Sequence, residues 1–572
     1  MPAEIWTTHS LEKVFPESRK PIGASEAVFL KAGRNETEDA QVAVHVPEGP
    51  EIAKASFQLP DLVGPRGARI PKKHLSAHWL WYLYVLRNPH LNVDPTSYLR
   101  QAPAFFPDAF LEEKTIRILD NRTQPLWVSV YVPRGTPPGD YVGTMALRLE
   151  DTKGATHRSE VPISVTVWPF TLPDEFHLRH TEWFAAETLA NYYRIEPWSD
   201  AHWDWIKKVA ADMARHHQDM ILTPFFSLVK VARAASGRYR YDFRDLDRWV
   251  RIFKKAGVDW IEGGHCAGRV AGWMSQIGWR RFPVQGPDGK PIDTSRKAMS
   301  DEEFEPWMQA FLQTVHAHLK TRGWHKRYVQ HVADEPVPDN EASWSHCARR
   351  TRQWLPGVQT IDAVMSGGLE GLIDLRVPQI QDITPDTPRN PKEDLWSYVC
   401  LAPQGQYPNR FLDYPSIRNR IIFWLSWSLD LKGFLHWGYS HWAPWGGVPA
   451  RIDVSPWLDA SGASIYCQDD NPLPSGDTHI VYPGRHTICS SLRWEVIRKG
   501  MEDFELLRML ERAVERDKGK RSRAATAARR LLKRIREDLA LSPGQHTRCD
   551  AALLAAREEA GELLARLVPD RR

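Results

Sequence analysis

The sequence predicts a multidomain chain of all-β and α/β parts: a β-sandwich over 1–173, a (β/α)8 barrel over 174–516 and a helical tail over 517–572. Three observations predict it. Up to about residue 173, short runs alternate apolar and polar residues with period two. From about 176 the rhythm becomes strand then helix, repeated. Beyond 517 the chain turns charged and rich in Ala, Leu and Arg. A length of 572 residues is too great for one ordinary domain and suits two to four.

In the first region, 41–46, 127–132 and 161–167 carry the alternation or the β-branched enrichment of strands. Pro47 ends the first run, and Pro137-Pro138-Gly139-Asp140 makes a turn before another strand. Pro169 and Pro173 punctuate a linker. Eight barrel strands are then expected at 177–183, 220–223, 258–263, 328–333, 360–364, 372–379, 397–401 and 433–437. Amphipathic stretches at 203–217, 245–256, 303–321 and 414–429 supply crossover helices. A long helix over 493–516 closes the barrel after a loop of roughly 440–490.

Lys plus Arg total 75 and Asp plus Glu 71, a balance too even to indicate nucleic acid or an anionic membrane as partner. The basic run at 518–523 reads as a solvated helix end. Six cysteines at 266, 347, 400, 467, 489 and 549 form no Cys-x-x-Cys pair, so free thiols are expected. No run approaches the ~20 apolar residues of a membrane span. No signal peptide is visible at Met-Pro-Ala-Glu-Ile-Trp, which by itself assigns no compartment; cytoplasm is the expectation unless a leader was removed. The outlier is tryptophan, 25 of them; its flat ring suits both a large core and the C–H face of a sugar.

Within this frame one dipeptide stands out. His331-Val332-Ala333-Asp334-Glu335-Pro336 sets two acids at the end of the fourth barrel strand, where Pro336 stops the ladder. Active sites of such barrels lie at the C-terminal ends of the strands. Paired carboxyls serve sugar cleavage, one protonating the leaving oxygen while the other steadies positive charge at the sugar carbon. Successive strand residues point to opposite faces, so both acids meet one pocket only if the chain kinks there. A solvated acid pair is the plainer reading of the dipeptide by itself.

Further segments join it. Trp183-Phe184 with Tyr192-Tyr193, the run 216–224, Trp396-Ser397-Tyr398-Val399-Cys400, the run 433–442, and Ser491-Leu492-Arg493-Trp494-Glu495 through Glu502-Asp503-Phe504-Glu505 occur in order. With 331–336 they resemble glycoside hydrolase family 123 and its larger bacterial relatives of unassigned activity, over most of the chain. The resemblance implies an exo-acting β-N-acetylhexosaminidase for N-acetylgalactosamine that retains configuration by substrate assistance. The sugar's own acetamido oxygen attacks the anomeric carbon and forms an oxazolinium ion. Glu335 is then the general acid and later base; Asp334 holds the acetamido N–H. A glycosidase of this fold for another sugar and a carbohydrate-binding protein without catalysis remain as alternatives.

Around the acids, Trp437, Tyr439 and Trp442 follow the eighth strand, with Trp437 expected against the sugar ring. Tyr398 suits a hydrogen bond to the acetamido oxygen or, equally, to backbone, and Trp396 has the same two readings. His265 follows Gly263-Gly264 on a loop and reads either as a contact to substrate hydroxyls or, more simply, as a loop histidine without a role; Trp183 ends the first strand, a place for lining the pocket, and His331 reads as a core histidine. His216-His217 and His316-Ala317-His318 lack ligand spacing, so no metal or other cofactor is expected. Ser366 in a strand-to-loop turn has no assignable base. The segment 269–297 reads as an insertion that reshapes the pocket. The partner implied is a glycan or glycoconjugate; the N-terminal sandwich serves as brace, glycan binder or homodimer surface.

Overall fold

The alternating runs of the N-terminal region pair into two sheets. The computed structural model describes residues 3–86, 88, 97–365, 369–442, 455–458, 460, 473–517 and 522–568. Ser366, Cys467 and most of the basic run at 518–523 lie outside them. One sheet is antiparallel in the order Glu4–His9, Glu36–Val46, Arg122–Val132, Leu75–Val85, Ala104–Phe110. In it Leu126 sits opposite Val42 on one side and Trp79 on the other. The other runs Val28–Arg34, Thr156–Thr171, Gly139–Asp151, Ile52–Gln58, Ile116–Ile118, extended by Leu62–Val63 and Arg69–Ile70. Along Thr156–Thr171 the alternation is physical: Val161, Ile163, Val165 and Val167 are buried while the residues between them face outward. A single apolar core takes Val42, Trp79 and Leu126 from the first sheet and Leu30, Met145, Ile163 and Val165 from the second.

The strand–helix region builds parallel sheets. Six strands run Met220–Thr223, Trp260–Gly263, Tyr328–His331, Gln359–Val364, Leu375–Pro378 and Asp394–Leu395. Three more run Arg179–Glu182, Gly433–His436, Ser397–Tyr398. The expected single eight-stranded ring is thus divided into sets of six and three. The reason is visible at one seam. Between Arg179–Glu182 and Met220–Thr223, hydrogen bonds from loop residues stand in for a ladder. Asp219 Oδ1 accepts from the His180 amide at 2.9 Å, and Gln218 Nε2 donates to the Glu182 carbonyl at 3.1 Å. At the other seam a lone bridge, Gln379 to Tyr398, links the sets.

Helices Asp200–Arg215, Arg244–Ala256, Asp301–Thr321 and Ile417–Ser428 lie where the periodicity predicts them. Asp301–Thr321 starts with a reciprocal cap. The Ser300 hydroxyl accepts from the Glu303 amide, and the Glu303 carboxylate accepts from the Ser300 amide. Glu341–Trp354 is a further helix, and the tail holds Arg523–Arg534, Asp550–Leu567 and a small hairpin of Ala540–Ser542 with Gln545–His546. No helix among the described residues is long and apolar enough to cross a membrane.

By compactness the chain forms two units, one of 1–177, 401–430 and 440–572, the other of 178–400 and 431–439. Helix Leu492–Arg516, expected as the last barrel helix, groups instead with the N-terminal sheets. Buried ion pairs hold it there: Arg498 on Asp39 at 2.7 Å and Lys499 on Glu36 and Glu38 at 2.9 Å each.

Candidate active site

The strand Tyr328–His331 ends just before the acid pair. Val332 and Ala333 remain buried, and their amides donate to the Asp362 carboxylate at 3.0–3.2 Å rather than to a neighbouring strand. That exchange of a ladder for a side chain frees the next residues to turn. Glu335 takes φ +45°, a left-handed conformation that costs a non-glycine residue about 1–2 kcal/mol. The kink is held by the Glu335 amide donating to the Ala363 carbonyl at 3.1 Å. Arg269 completes the clamp, donating to the Asp334 and Glu335 carbonyls at 2.9 and 2.6 Å. The bend needed to bring two successive side chains to one side is present.

Beneath the pair lies a charged network. His331 is fully buried; its Nδ1 meets Asp362 at 2.8 Å and its Nε2 meets Glu262 at 2.5 Å. These two carboxylates outweigh burial and push the imidazole up to about 9, so it is an imidazolium at neutral pH. Glu262 also accepts from Thr181 Oγ1 at 2.6 Å and Trp183 Nε1 at 2.8 Å. Asp334 is pushed up to about 7, first by burial, then by the negative charges of Glu335 and Asp362; His331 and Arg269 pull the other way. Burial raises Glu335 too, opposed by the Tyr398 hydroxyl, which donates to its Oε1, and by Arg269. Two neighbouring carboxyls with raised affinity retain a proton between them into the neutral range.

The other expected residues separate into two groups. Tyr398 touches Glu335, and Trp437 is partly buried beside Trp183, Trp396 and Tyr398 in one apolar cluster. Trp183 stands edge-on to His331 and His265, with ring centroids 5.4 and 5.1 Å away. His265 lies 4.3 Å from His331, buried, with Nε2 lacking a hydrogen-bond partner among the described residues. Burial first, then the His331 charge, holds it neutral. Three tryptophan and tyrosine candidates belong instead to the core. Trp396 fills the space over Gly433, where a Cβ would come within 2.1 Å of its ring. The buried Tyr439 hydroxyl donates to Asp212 at 2.7 Å, and the buried Trp442 Nε1 donates to the Val481 carbonyl at 2.9 Å. A ring immersed on all sides offers no face to a sugar.

His265, His331 and Asp362 bring donor atoms within 4.8 Å of one another. Both His331 nitrogens are already engaged by carboxylates, so its ring has no lone pair for a cation. The set fits an ion-pair network rather than a metal centre. Glu262, Asp362 and Arg269 were not among the sequence candidates. The first two left a signal: each is a lone acid inside an apolar strand, a residue type seldom fully buried without a partner.

Loss of the Tyr398 hydroxyl has a directional effect. The Tyr398 hydroxyl stabilises the charged Glu335, so Tyr398→Phe is expected to raise the Glu335 pKa, and titration of that carboxyl by NMR checks the shift.

Residues 183–510 match the family model described as the glycoside hydrolase 123 catalytic domain, and 10–148 match the glycoside hydrolase 123 N-terminal domain. Among solved structures, a family 123 glycoside hydrolase from Clostridium perfringens, from work on glycolipid glycan hydrolysis, has a similar fold. The TM-score is 0.71 at 14% identity, covering 99% of this chain and 98% of that one. A β-D-glucuronidase of Dictyoglomus thermophilum reaches a TM-score of only 0.32 at 9% identity, covering 88% and 76%, too slight a likeness to argue from. No curated protein matches the sequence.

Proposed function

Since the chain belongs to glycoside hydrolase family 123, we propose that this glycoside hydrolase is an exo-acting β-N-acetylhexosaminidase, for β-linked N-acetylgalactosamine, that retains configuration by substrate assistance. The supporting observation is the fate of the nearby carboxylates. Glu262 and Asp362 are fully buried and bound to His331, which removes them as nucleophiles toward a sugar carbon. That leaves Asp334 and Glu335, adjacent in the chain rather than facing each other across the ~5–5.5 Å gap of an ordinary retaining pair. A nucleophile carried by the substrate removes the need for a third acid, and its proximity supplies a very high effective concentration.

In this reading Glu335 gives the shared proton to the leaving oxygen while Asp334, as carboxylate, accepts the acetamido N–H. Asp334 then stabilises the oxazolinium charge. Glu335, now deprotonated, takes a proton from water as it opens the ring. Trp437 lies against the sugar. The raised affinities fit this division, since one proton and one negative charge must coexist on the pair near neutral pH. As pH rises the last proton leaves the pair and no acid remains for the leaving group, so kcat/KM falls on the alkaline side, at higher pH than for an ordinary carboxyl because burial raises Glu335.

The test is a matched pair of 4-nitrophenyl β-glycosides, one with a 2-acetamido group and one with a plain 2-hydroxyl. Turnover of the first alone, with the β-anomer of the free sugar seen first by NMR, is expected. Equal turnover of the 2-hydroxyl substrate, or an α-anomer formed first, overturns the mechanism.

A further inference from the structure

The segment 269–297 folds against the acid pair instead of trailing as a loop. Ala267–Arg269 pairs antiparallel with Ile277–Trp279, and Val284–Gln285 joins Lys230–Arg233 in a small separate sheet. The segment brings Arg269, Arg280, Arg281 and Arg296 around Gly268, lining a cavity of about 320 Å³. Asp301 is the carboxylate paired there, at 2.7 Å from Arg281 and 3.6 Å from Arg296. Arg269 spends its donors on neutral carbonyls, those of Trp273, Asp334 and Glu335. Arg281 is mostly buried, yet its Nε and Nη1 have no hydrogen-bond partner among the described residues. The exposed Arg280 lies over Gly268, and no hydrogen bond or ion pair involves its guanidinium among the described residues.

Four guanidinium groups line one cavity, and Asp301 with the one negative charge shared by Asp334 and Glu335 leaves an excess of positive charge. An anion entering the cavity would offset that excess. Planar forks with unused donors suit the oxygens of a sulfate or a carboxylate. The cavity's place is set by Arg269, whose guanidinium touches the backbone of both acids, and by Arg280, whose charge acts on Asp334.

We propose that this cavity is a subsite for an anionic substituent, a sulfate ester or a uronate carboxylate, on the glycan bound at Asp334 and Glu335. The enzyme would then take acidic glycans in preference to neutral ones. The proposal rests on the glycosidase reading for the place of the glycan, but its charge preference is tested by binding alone.

The test uses full-length protein with Glu335→Gln, which binds without turnover, and calorimetry with three oligosaccharides of β-N-acetylgalactosamine alternating with a second sugar. One carries glucuronate and sulfate, one glucuronate only, and one has its carboxylates reduced and is neutral. The charged probes are expected to bind roughly ten- to a hundredfold more tightly than the neutral one. A gap between the two charged probes assigns the subsite to the sulfate ester; equality assigns it to the uronate. Arg280→Ala collapses the preference, and Arg280→Lys, which keeps charge without the fork, retains part of it. Thermal unfolding of each variant confirms folding. Equal affinity for all three probes, absence of binding by any, or a preference that survives Arg280→Ala in folded protein overturns the proposal. Failure of the aryl glycoside assay with intact charge preference would instead strike the β-N-acetylgalactosaminidase reading.

Discussion

Glu335→Gln is expected to lower kcat by about 10²–10⁴-fold on a glycoside with a poor leaving group, the usual worth of a positioned proton donor. The loss shrinks on an activated aryl leaving group that departs without protonation. Asp334→Asn behaves differently. On the proposed substrate-assisted mechanism it removes the charge that stabilises an oxazolinium ion, so a loss of roughly 10²–10³-fold is expected whatever the leaving group. It also removes the repulsion within the pair, so Glu335 gives up its proton more readily and the alkaline limb moves to lower pH. That is opposite in sign to the shift expected for Tyr398→Phe. Kinetics over a leaving-group series, run across pH, separate the two roles. Equal sensitivity of both variants to the leaving group would reverse or erase the assignment.

Arg493→Ala is the substitution expected to cost most stability. Arg493 is fully buried and forms a forked pair with Asp108, Nε at 3.0 Å and Nη2 at 2.9 Å from Oδ2. It also donates to the carbonyls of Gly476 at 2.8 Å and of Arg410 and His479 at 3.1 Å. Gly476 fits because it has no side chain: a Cβ there would meet the guanidinium at 2.5 Å, and its φ of +84° suits glycine. Truncation takes the guanidinium partner from the buried Asp108 and removes the donor that three carbonyls share. Breaking such a pair costs about 3–5 kcal/mol. Urea unfolding should show that drop for the single variant and a smaller one for Asp108→Leu combined with Arg493→Met, because the double change leaves no orphaned charge. A fall below about 1 kcal/mol for Arg493→Ala would mean that water reaches the pair.

The same residue shows how unevenly the sequence discloses itself. Arg493 sits in a run that marked the family resemblance, yet its role as a junction of chain segments far apart in sequence is invisible there. The acid pair was legible because its signal is local: two carboxyls, an apolar run before them, a proline after. The left-handed φ at Glu335 is a kink of the kind the sequence reading required at that position. The aromatics were poorly legible for the opposite reason. Trp396 lies as near a strand end as Trp437 does, Tyr439 and Trp442 follow the same strand, and a ring facing a sugar has the same composition as one facing Gly433 or Asp212. The arginines of 269–297 gave only the sign of an unusual insertion.

The sequence by itself determined the order of strands and helices, the alternating burial of the N-terminal sheets and the two acids at a strand end. Each depends on residues within a few positions of one another, through the periods of strand and helix and the missing amide of proline. Only the tertiary structure decided that Asp362 replaces a ladder, that His331 sits charged between Glu262 and Asp362, and that the parallel strands divide into six and three. It also decided that four arginines line one cavity, with Arg269 bonded to the backbone of both acids. Those outcomes depend on which distant side chains arrive at the same few ångströms, and burial then sets how strongly each charge is felt.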